Sequence, residues 1–226
     1  MKIWYQSAAR FGIDPRWQVY EQSLKKHMSS LLSPTSTFNL KGIDSQAEGY
    51  QDQNNLDEYR KRQFLQNAKF AESQGFDAFA IGCWKDYANA TIRKNTKLFA
   101  VSIAEASLHA ALILGRRPGI IMPNPRDEAI VKDNLKVYGI DQSKILFSTC
   151  TLEINTALDA FANPASFSDI FIPCANTLID QGADVIVVGW GVFNEILYNM
   201  GLQNISSIPI LDSMAALIGM IELFKR

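Results

Sequence analysis

Short apolar runs alternate along the chain with longer segments in which apolar residues recur every three or four positions. The first pattern is typical of buried β-strands and the second of amphipathic α-helices. Strands are predicted at residues 2–6, 36–40, 78–82, 99–102, 119–122, 144–148, 185–189 and 208–211. Helices are predicted at residues 17–31, 56–74, 104–114, 126–138, 166–181 and 213–224. Because strands separated by helices usually pair in parallel, the pattern predicts an α/β fold with mostly parallel sheets.

One of these strand patterns occurs twice. Residues 74–83 and 181–190 have Gln, Gly, Asp and a second Gly at matching positions, with apolar runs of equal length. Each copy predicts a helix that ends at Gly, an acidic turn and a buried strand. We therefore expect two α/β lobes related by a pseudo-two-fold axis, each a mostly parallel sheet flanked by helices, with the active site in the cleft between them. The expected lobes are residues 1–100 plus 209–226 and residues 101–208.

The segment 44–57 does not follow the alternation. It is polar, rich in Gln and Asn, and has no periodicity. Two interpretations stay open, a solvated loop between a strand and a helix, or a mobile lid over the site.

The composition restricts the partners. The 226 residues are 47% apolar and 20% charged, and 22 basic residues against 23 acidic ones leave a net charge of −1. Neither nucleic acid nor an anionic membrane is favoured by that balance, and no stretch approaches the roughly 20 apolar residues of a membrane span. The start of the chain predicts a strand rather than a signal peptide. Three cysteines without paired spacing predict a reduced, cytoplasmic protein.

Motifs for the common cofactors are missing from the sequence. It contains no GxGxxG after a strand, no phosphate-binding GxxxxGK[ST], no GxSxG and no CxxC, and its only histidines are His27 and His109. We therefore expect neither a metal nor a cofactor. His109 could pair with a cysteine in a hydrolytic dyad, but a locally satisfied residue on a helix face is the simpler interpretation.

Ligands of doubly wound α/β folds bind at the carboxyl ends of the strands. Residues that follow predicted strands are therefore the candidate site residues: Gln6, Ser7, Cys83–Asp86, Met122–Arg126, Gly189–Asn194, Asp212 and Ser213. At and beside these strand ends, the residues expected to bind substrate are Gln6, Ser7, Gly82, Trp84, Gly189, Trp190, Gly191 and Asn194.

Cys83 is the strongest catalytic candidate. It follows a predicted strand and precedes a predicted helix, residues 84–93. The positive end of that helix dipole would lower the pKa of the thiol toward a reactive thiolate. The alternative is a buried, inert cysteine. Cys150 and Cys174 are expected to be structural.

Glycines and tryptophans near the repeated strand ends suggest how a substrate is held. Gly82, Gly189 and Gly191 would let backbone N–H groups approach an anion closely. Trp84 and Trp190 would form an apolar wall that excludes water from a small substrate.

Several motifs together resemble the aspartate/glutamate/hydantoin racemase superfamily, which includes hydantoin and amino-acid racemases, arylmalonate decarboxylases and maleate isomerases. The resemblance covers nearly the whole chain and rests on residues 75–83, 101–107, 114–117, 182–189 and 208–213. It implies two lobes and a cofactor-free site in which two cysteines stand on opposite faces of the substrate carbon. The substrate would be a small carboxylate or cyclic amide, and a homo-oligomer such as a dimer is the family expectation.

The chain departs from this pattern at the second cysteine. Cys83 matches the first cysteine, whereas Trp190 stands where the second is expected, and Gln6 and Ser7 replace the usual residues after the first strand. Because indole cannot exchange a proton at neutral pH, we expect a racemase or isomerase that uses a single cysteine. Glu105 or Asp86 would supply a second acid or base. The alternatives are a one-cysteine decarboxylase, a cysteine hydrolase, and a non-catalytic protein that binds a small carboxylate.

Overall fold

The computed structural model of the protein describes residues 1–12, 15–44 and 52–224. The chain divides into two compact units. Unit 1 contains Met1–Ile103 and the C-terminal segment from Leu217, and unit 2 contains Ala104–Ala216.

Unit 1 is built on a four-stranded parallel sheet in the order β2-β1-β3-β4. Its elements are β1 (Lys2–Ser7), α1 (Trp17–Leu31), β2 (Thr37–Lys41), α2 (Gln53–Ser73), β3 (Ala78–Gly82), α3 (Asn89–Asn95) and β4 (Phe99–Ser102). The central strand β3 is buried along its whole length, as expected for a strand covered by helices on both faces.

Unit 2 is built on a five-stranded sheet in the order β6-β5-β7-β9-β8, in which only the short β8 runs antiparallel to its neighbour. Its elements are α4 (Ile103–Leu114), β5 (Pro118–Met122), α5 (Pro125–Val137), a 3-10 helix (Gln142–Lys144), β6 (Leu146–Thr149), α6 (Ile154–Asp159), α7 (Pro164–Asp180), β7 (Val185–Val188), α8 (Gly191–Met200), β8 (Asn204–Ile205) and β9 (Ile208–Leu211). The last helix, α9 (Ser213–Leu223), begins in unit 2 and continues into unit 1 from Leu217.

The two sheets repeat one topology. The duplicated sequence segments form β3 and β7, each flanked by the first strand of its own unit on one side and by a later parallel strand on the other. The order β2-β1-β3-β4 matches β6-β5-β7-β9 strand for strand. The predicted α/β class and the predicted duplication are confirmed at this level.

The boundary between the units differs from the expected one. The strand β9 pairs with β7, through Ile186 with Ile210 and Val187 with Leu211, so it completes the sheet of unit 2. The segment 209–216 therefore belongs to unit 2, and the chain returns to unit 1 only at Leu217. A strand joins the sheet with which it forms hydrogen bonds, and the hydrophobic pattern alone does not name that sheet.

The polar segment 44–57 is partly helical. Residues 45–51 lie outside the described residues, so neither interpretation of them is tested. The helix α2 begins at Gln53, earlier than the predicted residue 56, because the Asp52 side chain caps it by accepting hydrogen bonds from the N–H groups of Asn54 and Asn55.

The pattern also missed whole elements, of which α8 is the longest. Residues 191–197 of this helix are all buried. Its first residue is Gly191, a poor helix former, and no side chain caps its first turn, so the usual sequence signals of a helix start are missing. The short α6 and β8 were missed as well.

Candidate active site

The loop after β3 carries Cys83, but no helix starts there. Cys83 is followed by turns, in which the Asp86 N–H donates to the Cys83 carbonyl at 3.1 Å, and α3 begins only at Asn89. The expected helix at residues 84–93 is therefore wrong in its first half, since Ala88 has a left-handed backbone (φ 60°) that stops the helix from extending back toward Cys83. The N-terminus of α3 therefore does not lie directly after this thiol, as the prediction required.

The same loop carries backbone strain. Asp86 (φ 56°) and Ala88 (φ 60°) are two of the three non-glycine residues with positive φ among the described ones. Asp tolerates this conformation, whereas for Ala it costs roughly 1–2 kcal/mol. Strain of this kind is concentrated at functional sites, where the surrounding structure holds the backbone in place.

A charged cluster lies beside Cys83. Asp57 and Arg60 come from the first turns of α2, which lie at the carboxyl edge of a parallel sheet, and Lys85 and Tyr87 come from the loop. Asp57 Oδ1 accepts from Tyr87 Oη at 2.5 Å and from Arg60 Nη1 at 3.2 Å. Arg60 Nη1 also donates to Tyr87 Oη at 3.3 Å, and Lys85 Nζ lies 3.5 Å from Asp57 Oδ2. Two cations therefore share one buried carboxylate.

The electrostatics of this cluster include Cys83. Burial raises the pKa of Tyr87 far above its usual range, and the negative charge of Cys83 and the bond to Asp57 raise it further. Burial lowers the pKa of Arg60, but Tyr87, Cys83 and Asp57 outweigh burial and the net shift is upward. Burial raises the pKa of Asp57, and Tyr87, Lys85 and Arg60 reverse that effect to a net lowering. Arg60 is thus held cationic, Asp57 anionic and Tyr87 neutral, with the Cys83 sulfur in electrostatic range.

Gln6 and Ser7 lie at the end of β1 and are both buried. Gln6 Oε1 accepts from Asn67 Nδ2 at 2.7 Å and from the Trp4 indole at 3.1 Å, while Gln6 Nε2 donates to nearby backbone carbonyls, including that of Gly42 at 3.1 Å. Ser7 Oγ accepts from the Ala9 N–H. The amide of Gln6 therefore ties β1 to α2 and to the loop after β2.

Close packing explains the two glycines that end the repeated strands. A Cβ at Gly82 would lie 2.5 Å from Tyr5 Cε1 and closer still to the rest of the phenol, and one at Gly189 would meet the sulfur of Met122. The Gly189 N–H donates to the Ile121 carbonyl of the neighbouring strand at 2.8 Å, so this bond occupies the donor that was expected to approach an anion.

The corresponding loop of unit 2 leads straight into a helix. Trp190 is the N-cap of α8, Gly191 is the first helical residue, and no side chain caps the first turn. The half-buried Trp190 ring packs edge-on against Phe193, with centroids 5.0 Å apart. In unit 1, by contrast, Trp84 is buried, and its Nε1 has no hydrogen-bond partner among the residues that the structure describes.

Asn194 braces the start of α9. Its Oδ1 accepts from the Ser213 N–H at 2.8 Å, and its Nδ2 donates to Asp212 Oδ1 at 3.3 Å. Asp212 in turn caps the N–H groups of Met214 and Ala215. The buried amide of Asn194 thus holds the turn that follows β9.

The remaining candidates have distinct surroundings. Glu105 is half-buried in the first turn of α4, and His109 packs beside Tyr138 with centroids 6.4 Å apart. Burial, with Cys174 as a second cause, raises the pKa of Cys150 to about 12. At neutral pH Cys150 is therefore a protonated, poorly nucleophilic thiol.

In the described part of the chain no three His, Cys, Asp or Glu side chains cluster as a metal site would require. The same residues include no helix long and apolar enough to cross a membrane.

Comparison with known proteins decides the family. A family model described as Asp/Glu/Hydantoin racemase matches residues 18–221. The chain belongs to the Asp/Glu/hydantoin racemase family. Both repeated strand ends, with Cys83 and Trp190, lie within the matched range.

Two curated relatives are hydantoin racemases. The one from Pseudomonas sp. (strain NS671) is 24% identical over 153 residues, which cover 67% of this chain and 59% of the relative. The one from Rhizobium meliloti is 26% identical over 161 residues, which cover 70% of this chain and 64% of the relative. The match thus spans about three fifths of the length of these relatives.

A solved structure shares the fold of this family member. The allantoin racemase from Klebsiella pneumoniae superposes with a TM-score of 0.79 at 17% sequence identity, over 99% of this chain and 86% of the other. At that identity the likeness establishes the fold.

The sequence analysis of this family member missed the charged cluster. Asp57 and Arg60 lie on the same face of α2 as the buried Phe64. Two charged residues at helical spacing on an otherwise apolar helix face are therefore the sequence feature that could have indicated the cluster. Both residues lie within the helix predicted at residues 56–74, where charged side chains are usually exposed, so residue type alone does not select them.

Proposed function

We propose that this protein is a cofactor-independent racemase or isomerase that acts on a carbon beside a carboxylate or cyclic amide, with Cys83 as its catalytic thiol. The observation that carries the proposal is the setting of Cys83 at the end of the duplicated strand. Cys83 is partly exposed and within electrostatic range of the half-buried Arg60 guanidinium, whereas Cys150 is buried and burial raises its pKa. Membership of the family and the hydantoin racemase relatives support the reaction class.

In the proposed reaction the Cys83 thiolate removes the proton from the α-carbon. The C–H bond breaks, an S–H bond forms, and the electron pair moves onto the adjacent carbonyl as an enolate. The indole N–H of Trp84, which has no hydrogen-bond partner in the described part of the chain, is the donor that we propose for a substrate oxygen. Gln6 and Ser7 would support the site by holding the end of β1.

Racemisation also needs an acid on the other face of the enolate. Trp190 stands at the position where the family resemblance expects the second cysteine, and its indole cannot donate that proton. We propose that Glu105 or Asp86 does so. Unless one of them acts, Cys83 returns the proton to the face from which it came, and the configuration does not change.

Trp190 also favours a second candidate, a one-sided reaction such as decarboxylation. There a thiol protonates an enolate from one face only, and a single enantiomer results. This reaction needs Cys83 as an acid rather than as a base, so the two candidates predict opposite protonation states of the resting enzyme.

The test uses D2O with enantiopure hydantoins, amino acids and substituted malonates, followed by polarimetry and NMR together. A racemase loses optical activity while deuterium enters the α-position, and a decarboxylase releases CO2 with deuterium on one face. Ring opening without α-exchange would identify a hydrolase instead, and binding without any exchange would identify a binding protein. Cys83→Ser should abolish the exchange and Cys150→Ser should retain it. Full exchange in Cys83→Ser would refute the proposal.

A further inference from the structure

A thiolate at Cys83 needs a source of positive charge. The usual source, the N-terminus of a following helix, is missing, because α3 starts only at Asn89. Ionising a partly buried group costs free energy unless a positive charge lies nearby. If the protein uses Cys83 as a base, a cationic side chain near it would lower the cost of the thiolate.

The charged and titratable groups of this cluster come from two elements. The helix α2 contributes Asp57 and Arg60, and the loop contributes Lys85, Asp86 and Tyr87. Tyr87 remains neutral because burial raises its pKa. The Asp86 carboxylate lies on the side of α3, where Oδ2 accepts from Asn89 Nδ2 at 3.3 Å.

The geometry singles out Arg60. Nη1 of its guanidinium donates hydrogen bonds to Asp57 and to Tyr87. Nε is buried and has no hydrogen-bond partner in the described part of the chain. A buried donor without a partner usually indicates an acceptor still to be identified. Cys83 packs against the buried cluster that contains Tyr87, the residue to which this guanidinium donates, and the charge of Cys83 acts on Arg60.

Because Lys85 also pairs with Asp57, the positive charge of Arg60 is not fully neutralised by that carboxylate. Asp57 alone would form a neutral pair with Arg60. Lys85 Nζ lies 3.5 Å from the other carboxylate oxygen, Oδ2, so the three groups together keep one net positive charge. The ring of Tyr87 lies under the guanidinium, with the carbon of the guanidinium 5.9 Å from the ring centroid, and further restricts its orientation.

We propose that Arg60 is the positioning residue that stabilises the Cys83 thiolate, and that Asp57 and Tyr87 hold its guanidinium in place. The inference rests on the proposed role of Cys83 as the catalytic base. Arg60 acts through the sulfur and takes no part in bond making. The same charge disfavours the decarboxylase alternative, which requires a protonated Cys83 in the resting enzyme.

The test is the pH dependence of Cys83 alkylation by iodoacetamide, measured by peptide mapping on the full-length protein. Arg60→Gln should raise the midpoint of the rate–pH curve by about one unit, which lowers the thiolate fraction well below the midpoint about tenfold. Arg60→Lys should keep most of the wild-type profile. Arg62→Gln is the matched control, because Arg62 is exposed on the same helix, and its midpoint should not move.

Asp57→Asn should shift the midpoint of Cys83 alkylation in the opposite direction to Arg60→Gln. Its amide can still accept from Tyr87 and Arg60, but the negative charge is gone, so the midpoint of Cys83 should fall. A purely structural disturbance would shift both variants in the same direction. If Arg60→Gln does not fold, as judged by circular dichroism, Asp57→Asn decides alone.

An Arg60→Gln midpoint within about 0.2 units of wild type, or an unchanged midpoint in Asp57→Asn, would overturn the proposal. Alkylation requires no substrate, so the result is independent of turnover. The two proposals can fail separately. If the midpoint of Cys83 alkylation is low and depends on Arg60, but the protein exchanges no α-proton, the proposed function is contradicted and the role of Arg60 is still supported.

Discussion

The duplicated strand ends allow a matched pair of substitutions, Gly82→Ala and Gly189→Ala. At Gly82 the new methyl group would overlap the phenol of Tyr5, a fully buried and rigid ring in the adjacent strand. At Gly189 it would overlap the side chain of Met122, which is also buried but can change rotamers. The same chemical change therefore meets a stiff neighbour in one unit and an adaptable one in the other.

The expected magnitudes follow from these neighbours. Overpacking costs about 1–3 kcal/mol, and we expect Gly82→Ala at the upper end and Gly189→Ala near 1 kcal/mol. For a chain of this length, about 3 kcal/mol corresponds to a fall in Tm of roughly 6–12 °C. Because Gly82 precedes Cys83, the same substitution should also displace the thiol and slow its alkylation.

The assay is thermal unfolding followed by circular dichroism, with Gly219→Ala as control. Gly219 lies inside α9, and an added Cβ there would have no neighbour within 4 Å. This control should stabilise the protein by about 0.5–1 kcal/mol. Equal destabilisation by Gly82→Ala and Gly189→Ala, or a neutral Gly82→Ala, would refute the argument from rigidity.

Further predictions concern the loop, the thiols and the buried carboxylate. Ala88→Gly should stabilise the fold by about 1 kcal/mol in urea titration because it relieves a positive φ; destabilisation would contradict the assigned backbone strain. Cys83 should be alkylated fastest at pH 7 and Cys150 slowest, since burial raises the pKa of Cys150 to about 12; the reverse order in peptide mapping would remove Cys83 as the reactive thiol. The pKa of Asp57 is lowered on folding, so its contribution to stability is complete above its ordinary value of 3.8 and is lost as pH falls through the folded value. Asp57→Asn should therefore flatten the loss of stability below about pH 4 in acid titration, and an unchanged slope would contradict the lowered pKa.

The repeat was the most reliable predictor in the sequence. Two short segments with matching Gly and Asp positions predicted two copies of one strand, and these strands occupy equivalent places in two sheets of the same order. This worked because a buried parallel strand needs an uninterrupted apolar run, and a turn at its end needs Gly. Both requirements concern a few consecutive residues, so they can be recognised in the sequence without knowledge of the fold.

The surroundings of Cys83 could not be predicted in the same way. Extending a helix to residue 84 was reasonable from residue types, and only the left-handed backbone at Ala88 excludes it. Ala has no intrinsic preference for that conformation, so the packing around the loop imposes it. Backbone strain that is imposed by tertiary contacts leaves no local signal in the sequence.

The sequence by itself determined the α/β class, the duplication, the family and the cysteine at the end of β3, since each depends on local periodicity or on a short sequence motif. Tertiary structure alone decided which charges surround that cysteine. Asp57 and Arg60 precede Cys83 by 26 and 23 residues in the sequence, and hydrogen bonds at 2.5 and 3.3 Å join them to Tyr87 in the loop that carries Cys83. Burial and the charges of neighbouring groups together set the protonation state of a side chain, and both arise only when the chain has folded.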